Sequence, residues 1–167
     1  MKWLMALGAL VLGGGGAWLL SNAARASWVN EIEIRIGRPA GDVFPWLTDP
    51  AKRLQWILFL RDSQRAAPGC LRETIVDHGR RFDVELHLTR IEPGRVLQTT
   101  AWAGDFDWVQ TYELSGEGGS TTLRITIDTR YKPFLARALG PLVSRDVQAT
   151  WQRHARKLRD LLEQAGR

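Results

Sequence analysis

Cysteine is nearly absent from the 167 residues. Cys70 stands alone, which excludes an intramolecular disulfide framework and any zinc or iron–sulfur centre built from several cysteines. Histidine is scarce too, at three, and the chain has no H-E-x-x-H, G-x-S-x-G, P-loop or G-x-G-x-x-G. Gly13 to Gly16 lie inside an apolar run rather than after a strand, so they are not a phosphate loop. No long block of one charge occurs. The net charge of +5, from 23 Lys+Arg against 18 Asp+Glu, is spread along the chain and does not form a nucleic-acid stripe. No cofactor and no nucleic-acid partner is implied. With 44% hydrophobic and 25% charged residues the chain is neither disordered nor collagen-like. Its length suits one domain with one core.

Two things are abundant. Eight tryptophans must be buried, line something or sit at an interface. The first 26 residues hold an uncharged run from Trp3 to Leu20, continuing to Ala24. As a helix those 18 residues cover roughly 27 Å, just enough for a bilayer core. Trp3 and Trp18 stand near its ends, where indole rings favour the interface. The length favours an uncleaved membrane anchor over residues 3–24. The alternative is an export signal with Lys2 in front and Ala24-Arg25-Ala26 as a small-x-small site, leaving an exported soluble protein after cleavage at Ala26. Sidedness is not settled by the flanking charges.

Residues 27–167 read as one α+β domain. Ile32, Ile34 and Ile36 alternate with Glu31, Glu33 and Arg35, a strand with one wet face. Pro39 and Asp42 suit a helix start, and Asp49-Pro50 opens a second short helix toward Trp56. A short apolar run, Ile57 to Leu60, precedes the Pro68-Gly69 turn. Strands then follow over Cys70–Asp77, Arg81–Ile91, Val96–Ala103, Phe106–Leu114 and Thr122–Tyr131, joined by connections of hairpin length and therefore antiparallel. After Pro133–Leu139 and the Gly140-Pro141 break, a long amphipathic helix carries Val143, Val147, Trp151, Ala155, Leu158 and Leu162 at three- and four-residue spacing.

The segments Ile32-Glu33-Ile34-Arg35-Ile36, Arg38-Pro39-Ala40-Gly41-Asp42-Val43-Phe44, Leu47-Thr48-Asp49-Pro50 with Trp56, Ile91-Glu92-Pro93-Gly94-Arg95-Val96, and Leu158 with Leu162-Glu163 resemble the START-like (SRPBCC) helix-grip superfamily, in particular its polyketide cyclase/dehydrase branch. The resemblance covers essentially all of residues 27–165. It implies a curved seven-stranded antiparallel sheet wrapped around the C-terminal helix, with a hydrophobic cavity between them. Relatives of this kind include ligand binders, lipid carriers and a minority of enzymes, so fold does not fix function. The candidates for the cavity wall are Trp56; Phe82, Val84 and Leu86; Trp102, Trp108 and Tyr112; Leu123; and Leu139, Val147 and Trp151. Aromatic rings supply large apolar area with a polar tip, which suits a hydrophobic small molecule or lipid-like ligand.

No catalytic constellation appears. The inward faces offer Tyr112 and Gln110 as polar groups, which tilts the reading toward binding; the alternative is a cyclase or dehydratase using a polar group inside the same cavity. Asp83, Glu85 and His87 share one face of a strand, but it is the face opposite Phe82, Val84 and Leu86 and reads as solvated, without a metal. Cys70 reads as a small buried filler. The basic face of the last helix, with Arg145, Arg153, Arg156, Lys157 and Arg159, is interrupted by Asp146, Asp160 and Glu163 and reads as solvated.

Overall fold

Alternating inward positions that are mostly apolar along the strands dictate a single sheet with one buried face. The computed structural model describes residues 16–25, 27–77, 79–116 and 119–165. After a helical stretch over 16–23, the elements are β1 (Trp28–Ile36), α1 (Ala40–Thr48), α2 (Pro50–Trp56), β2 (Leu60–Ala67), β3 (Cys70–Asp77), β4 (Arg80–Glu92), β5 (Val96–Ala103), β6 (Phe106–Ser115), β7 (Thr121–Tyr131), α3 (Phe134–Ala138) and α4 (Gly140–Gln164). The sheet runs β1-β7-β6-β5-β4-β3-β2, and every pair is antiparallel. All neighbours but β1 and β7 are consecutive, so hairpins make most of it and α1 and α2 carry the chain from one edge to the other.

The register fixes the inner face. Ile32 stands opposite Ile125, Ile125 opposite Tyr112 and Tyr112 opposite Leu97; all four are buried. Against them α4 lays Trp151, Ala155, Leu158 and Leu162, packing on β1 and α2. Trp56 closes this end, edge-on to both Tyr112 and Trp151 at 6.5 and 6.2 Å, with its indole N–H donating to the Trp46 carbonyl at 2.9 Å. The seven-stranded α+β helix-grip architecture is therefore present.

Two local features depart from the sequence reading. The apolar run Ile57–Leu60 is not itself a strand: only Leu60 enters β2, whose remaining residues are largely polar and exposed because it is an edge strand, with Leu60 and Ser63 alone turned inward. The long helix keeps its apolar stripe only from Trp151 onward, while Val143 is exposed and His154 is buried within the stripe. For the proposed membrane span, residues 3–15 lie outside the described residues; within 16–23, Trp18 and Leu20 are exposed. Among the described residues no helix is long and apolar enough to cross a membrane.

Candidate ligand-binding cavity

Between the inner face of β3–β7 and the first half of α4 the chain leaves a cavity of about 770 Å³, open on one side. Its depth is set by α2, which seals the Trp56 end, and by the contrast along α4. The C-terminal half packs onto β1 and α2; the N-terminal half presents only Val143, Asp146, Val147 and Trp151 to the space. One wall is aromatic. Phe106 stacks on Trp108 with centroids 5.5 Å apart and meets Phe82 edge-on at 6.2 Å. Phe59 and Trp151 meet opposite, 5.9 Å apart. Around the mouth stand charged groups, among them Asp77, Arg80, Asp83 and Asp105.

Of the residues predicted for the wall, Phe82, Leu86, Trp108, Val147 and Trp151 line the cavity. Trp102 borders it, but its ring lies on the outer face, 54% exposed and edge-on to His87 at 5.2 Å, because Ala101 and Ala103 take the inward positions of β5. Trp56, Val84, Tyr112 and Leu123 are buried in the core and do not line the cavity. Leu139 caps α3, half-buried, and does not line it.

The deep end holds a group that the sequence reading missed. The Arg53 Nε–H donates to Glu73 Oε1 at 2.7 Å, and Nη2 donates to Oε2 at 3.2 Å. The other guanidinium nitrogen donates to the Leu47 carbonyl at 2.9 Å, and the Ser63 hydroxyl donates to Glu73 Oε1 at 3.0 Å. The two side chains are 3% and 4% exposed, yet both contribute to the cavity surface. A signal for Glu73 was available: it alternates with Leu71 and Ile75, so it shares their inward face. Arg53 had none, since Lys52-Arg53 reads as a solvated pair.

Burial alone disfavours the Arg53 charge, but Glu73 and then Tyr112 outweigh it, so the guanidinium is held protonated above its ordinary value. Burial pushes the Tyr112 phenol up to about 12, against the opposing pull of Arg53, so the hydroxyl stays protonated at neutral pH. That hydroxyl lies near Arg53 and Gln110 without a well-formed hydrogen bond. The buried Gln110 lines the cavity, and its Nε2 has no acceptor.

Such an arrangement has the chemistry to hold a molecule with an apolar body and few polar atoms. Residues 27–163 match the family described as polyketide cyclase / dehydrase and lipid transport. The chain belongs to that family. Solved structures share its shape. A START superfamily protein from Mycobacterium smegmatis aligns with a TM-score of 0.71 at 18% identity, covering 82% of this chain and 98% of that one. A conserved protein from Geobacillus kaustophilus gives a TM-score of 0.71 at 12% identity, covering 83% and 97%. A protein from Thermus thermophilus gives 0.68 at 18% identity, covering 84% and 100%. At these identities the likeness is one of fold. No curated protein matches the sequence.

Proposed function

We propose that this member of the family binds a hydrophobic small molecule or lipid-like ligand in the cavity between sheet and α4, and that residues 3–24 tether it to a membrane. The binding reading rests on one observation: a 770 Å³ space walled by aromatic and aliphatic side chains whose deep charges already satisfy each other. A ligand surrendering about 300 Å² of apolar surface gains roughly 7 kcal/mol before association costs. The Gln110 amide N–H asks for one acceptor, such as a ligand carbonyl or hydroxyl, because a buried donor left unpaired is costly. No charge is asked of the ligand.

A cyclase or dehydratase would need a group free to take or give a proton beside its substrate. At the deep end, where a buried substrate would react, both Glu73 oxygens are engaged by Arg53, one of them also by Ser63, and Tyr112 holds its proton outside the cavity wall, while Asp77, Asp83, Asp105 and Asp146 are the carboxylates elsewhere on the lining. Binding is therefore preferred. The test is to purify the full chain in detergent, incubate it with a lipid extract, and identify what stays bound by mass spectrometry. A stoichiometric apolar species that also perturbs tryptophan emission, since Trp108 and Trp151 line the space, supports the proposal. An empty protein sinks it.

The tether is supported by the uncharged run over residues 3–20 and by the exposed Phe134, Leu135 and Leu142, which are close in sequence to the cavity-lining Tyr131 and Val143 and would face lipid if the domain lay against a bilayer. The full chain is expected in the membrane fraction after a salt wash, and a chain lacking residues 1–26 in the soluble fraction. A mature protein whose measured mass begins at Ser27 would replace the tether by export.

A further inference from the structure

The register of β3 on β4 joins two readings that the sequence kept apart. Cys70 stands directly across from His87, with both side chains on the face opposite the cavity, since Leu71 and Leu86 take the inward positions. Glu85 precedes His87 by two residues on that same outer face. The Cys70 Sγ, a Glu85 carboxylate oxygen and a His87 ring nitrogen all lie within 4.8 Å of one another. We propose that these three side chains form a binding site for a zinc-class divalent cation on the outer face of the β3–β4 hairpin.

The chemistry of the donor set is the argument. Thiolate, imidazole and carboxylate together are the ligands of zinc sites, at about 2.3 Å for sulfur and 2.0–2.2 Å for nitrogen and oxygen. Tetrahedral geometry with those lengths places ligand atoms about 3.3–3.6 Å apart, so the three need to close by about 1 Å, within the reach of side-chain rotation. Cross-strand neighbours bring their Cβ atoms to about 5 Å, and the longer glutamate spans the diagonal. Two ligands on paired strands and a third on the same strand also make the site rigid.

The surroundings favour the arrangement. Arg72 donates from Nη2 to Glu85 Oε1 at 3.1 Å, which orients the carboxylate, as outer partners do in metal sites. The Trp102 ring edges the imidazole at 5.2 Å and restricts its rotation. Thiolate and carboxylate balance the two positive charges of the ion. Three protein ligands leave a fourth position for water or an added ligand.

The test uses the reduced full chain and the metal alone. Because Cys70 is the single cysteine, a thiolate-to-cobalt charge-transfer band on adding Co²⁺ can come from nowhere else in the chain. One equivalent of Co²⁺ is expected to produce that band, and one of Zn²⁺ to abolish it by displacement. The band should vanish in Cys70→Ser and weaken at least tenfold in apparent affinity in His87→Ala and Glu85→Gln, while Arg72→Ala, which is not a ligand, keeps it. Zn²⁺ should also raise the thermal midpoint of the native chain and not that of Cys70→Ser, because binding the folded state alone stabilises it. No thiolate band, or a band of unchanged affinity in His87→Ala, overturns the site. These positions lie on the outer face of the sheet, so far-ultraviolet circular dichroism unchanged in the variants establishes that folding is intact.

Discussion

His154 is fully buried on α4, wedged edge-on between Phe59 at 4.7 Å and Trp151 at 5.0 Å, and neither ring nitrogen has a hydrogen-bond partner. Burial, reinforced by Arg153 and Lys157 and opposed by Asp77, lowers it to about 4, against about 6.5 in an unfolded chain. The folded state therefore keeps the ring neutral while the unfolded state takes up a proton as pH falls through 6.5. This group's stabilising contribution is complete above that value and shrinks as pH drops from 6.5 toward 4, with a slope approaching about 1.4 kcal/mol per pH unit. Urea midpoints of the native chain between pH 7 and 5 should fall more steeply than those of His154→Leu. Parallel curves would show that the imidazole is not the group responsible. At the buried Arg53–Glu73 pair the expectation is a loss and its recovery. Glu73→Ala leaves the Arg53 guanidinium with only the Leu47 carbonyl and should cost about 3–5 kcal/mol, while Arg53→Met combined with Glu73→Leu should recover most of it. Chemical denaturation of the native chain and the two variants reads both values.

At the scale of elements, α2 is the piece on which the deep end of the cavity depends. Asp49 Oδ1 accepts from the Ala51 and Lys52 backbone N–H groups at 2.8 and 3.2 Å, and Pro50 occupies the first turn. This cap fixes where the helix begins, and so aims both Arg53 and Trp56, three residues apart, at the core. Asp49→Ala should lower stability by about 1 kcal/mol, read from the unfolding midpoint. The helix was legible because Asp-Pro is a strong start signal; the inward aim of Arg53 was not, because nothing local distinguishes it from Lys52. The strands follow the same division. β4 and β7 were readable from alternation, whereas β2 was hidden because an edge strand needs only Leu60 and Ser63 inside. Trp102 borders the cavity yet its pairing with Asp107 turns the ring to the outer face while Trp108 points in, a distinction that counting aromatics along the hairpin does not make. Gly140 carries a constraint that no pattern announces. A Cβ there would overlap the Trp28 indole, so the α3–α4 elbow closes onto β1 only with glycine.

For the molecule as a whole, the cavity sets burial of a ligand against packing of the protein. Fold, element order and the presence of an inward apolar face followed from the sequence and its family likeness. That α4 divides into a packed half and an uncovered half did not, since Val143, Val147 and Trp151 continue the same periodic stripe as Leu158 and Leu162. Interiors normally pack to high density, so 770 Å³ of open space forgoes contacts that a solid core would have. Filling it from the helix side should then stabilise the fold and remove the space for a ligand together, the trade-off expected when a site is kept less stable than the scaffold permits. Val147 is the place to do so, because it is half-buried and lines the cavity from α4, away from the Arg53–Glu73 pair. Val147→Trp is expected to raise the thermal midpoint by a few degrees and to cut binding of whichever apolar species the native chain retains at least tenfold, measured by tryptophan quenching and by recovered ligand. A variant that is stabilised yet still carries the ligand would locate the binding surface outside this cavity. One that loses stability would show that the space closes in solution by movement of α4, leaving no room for the added ring.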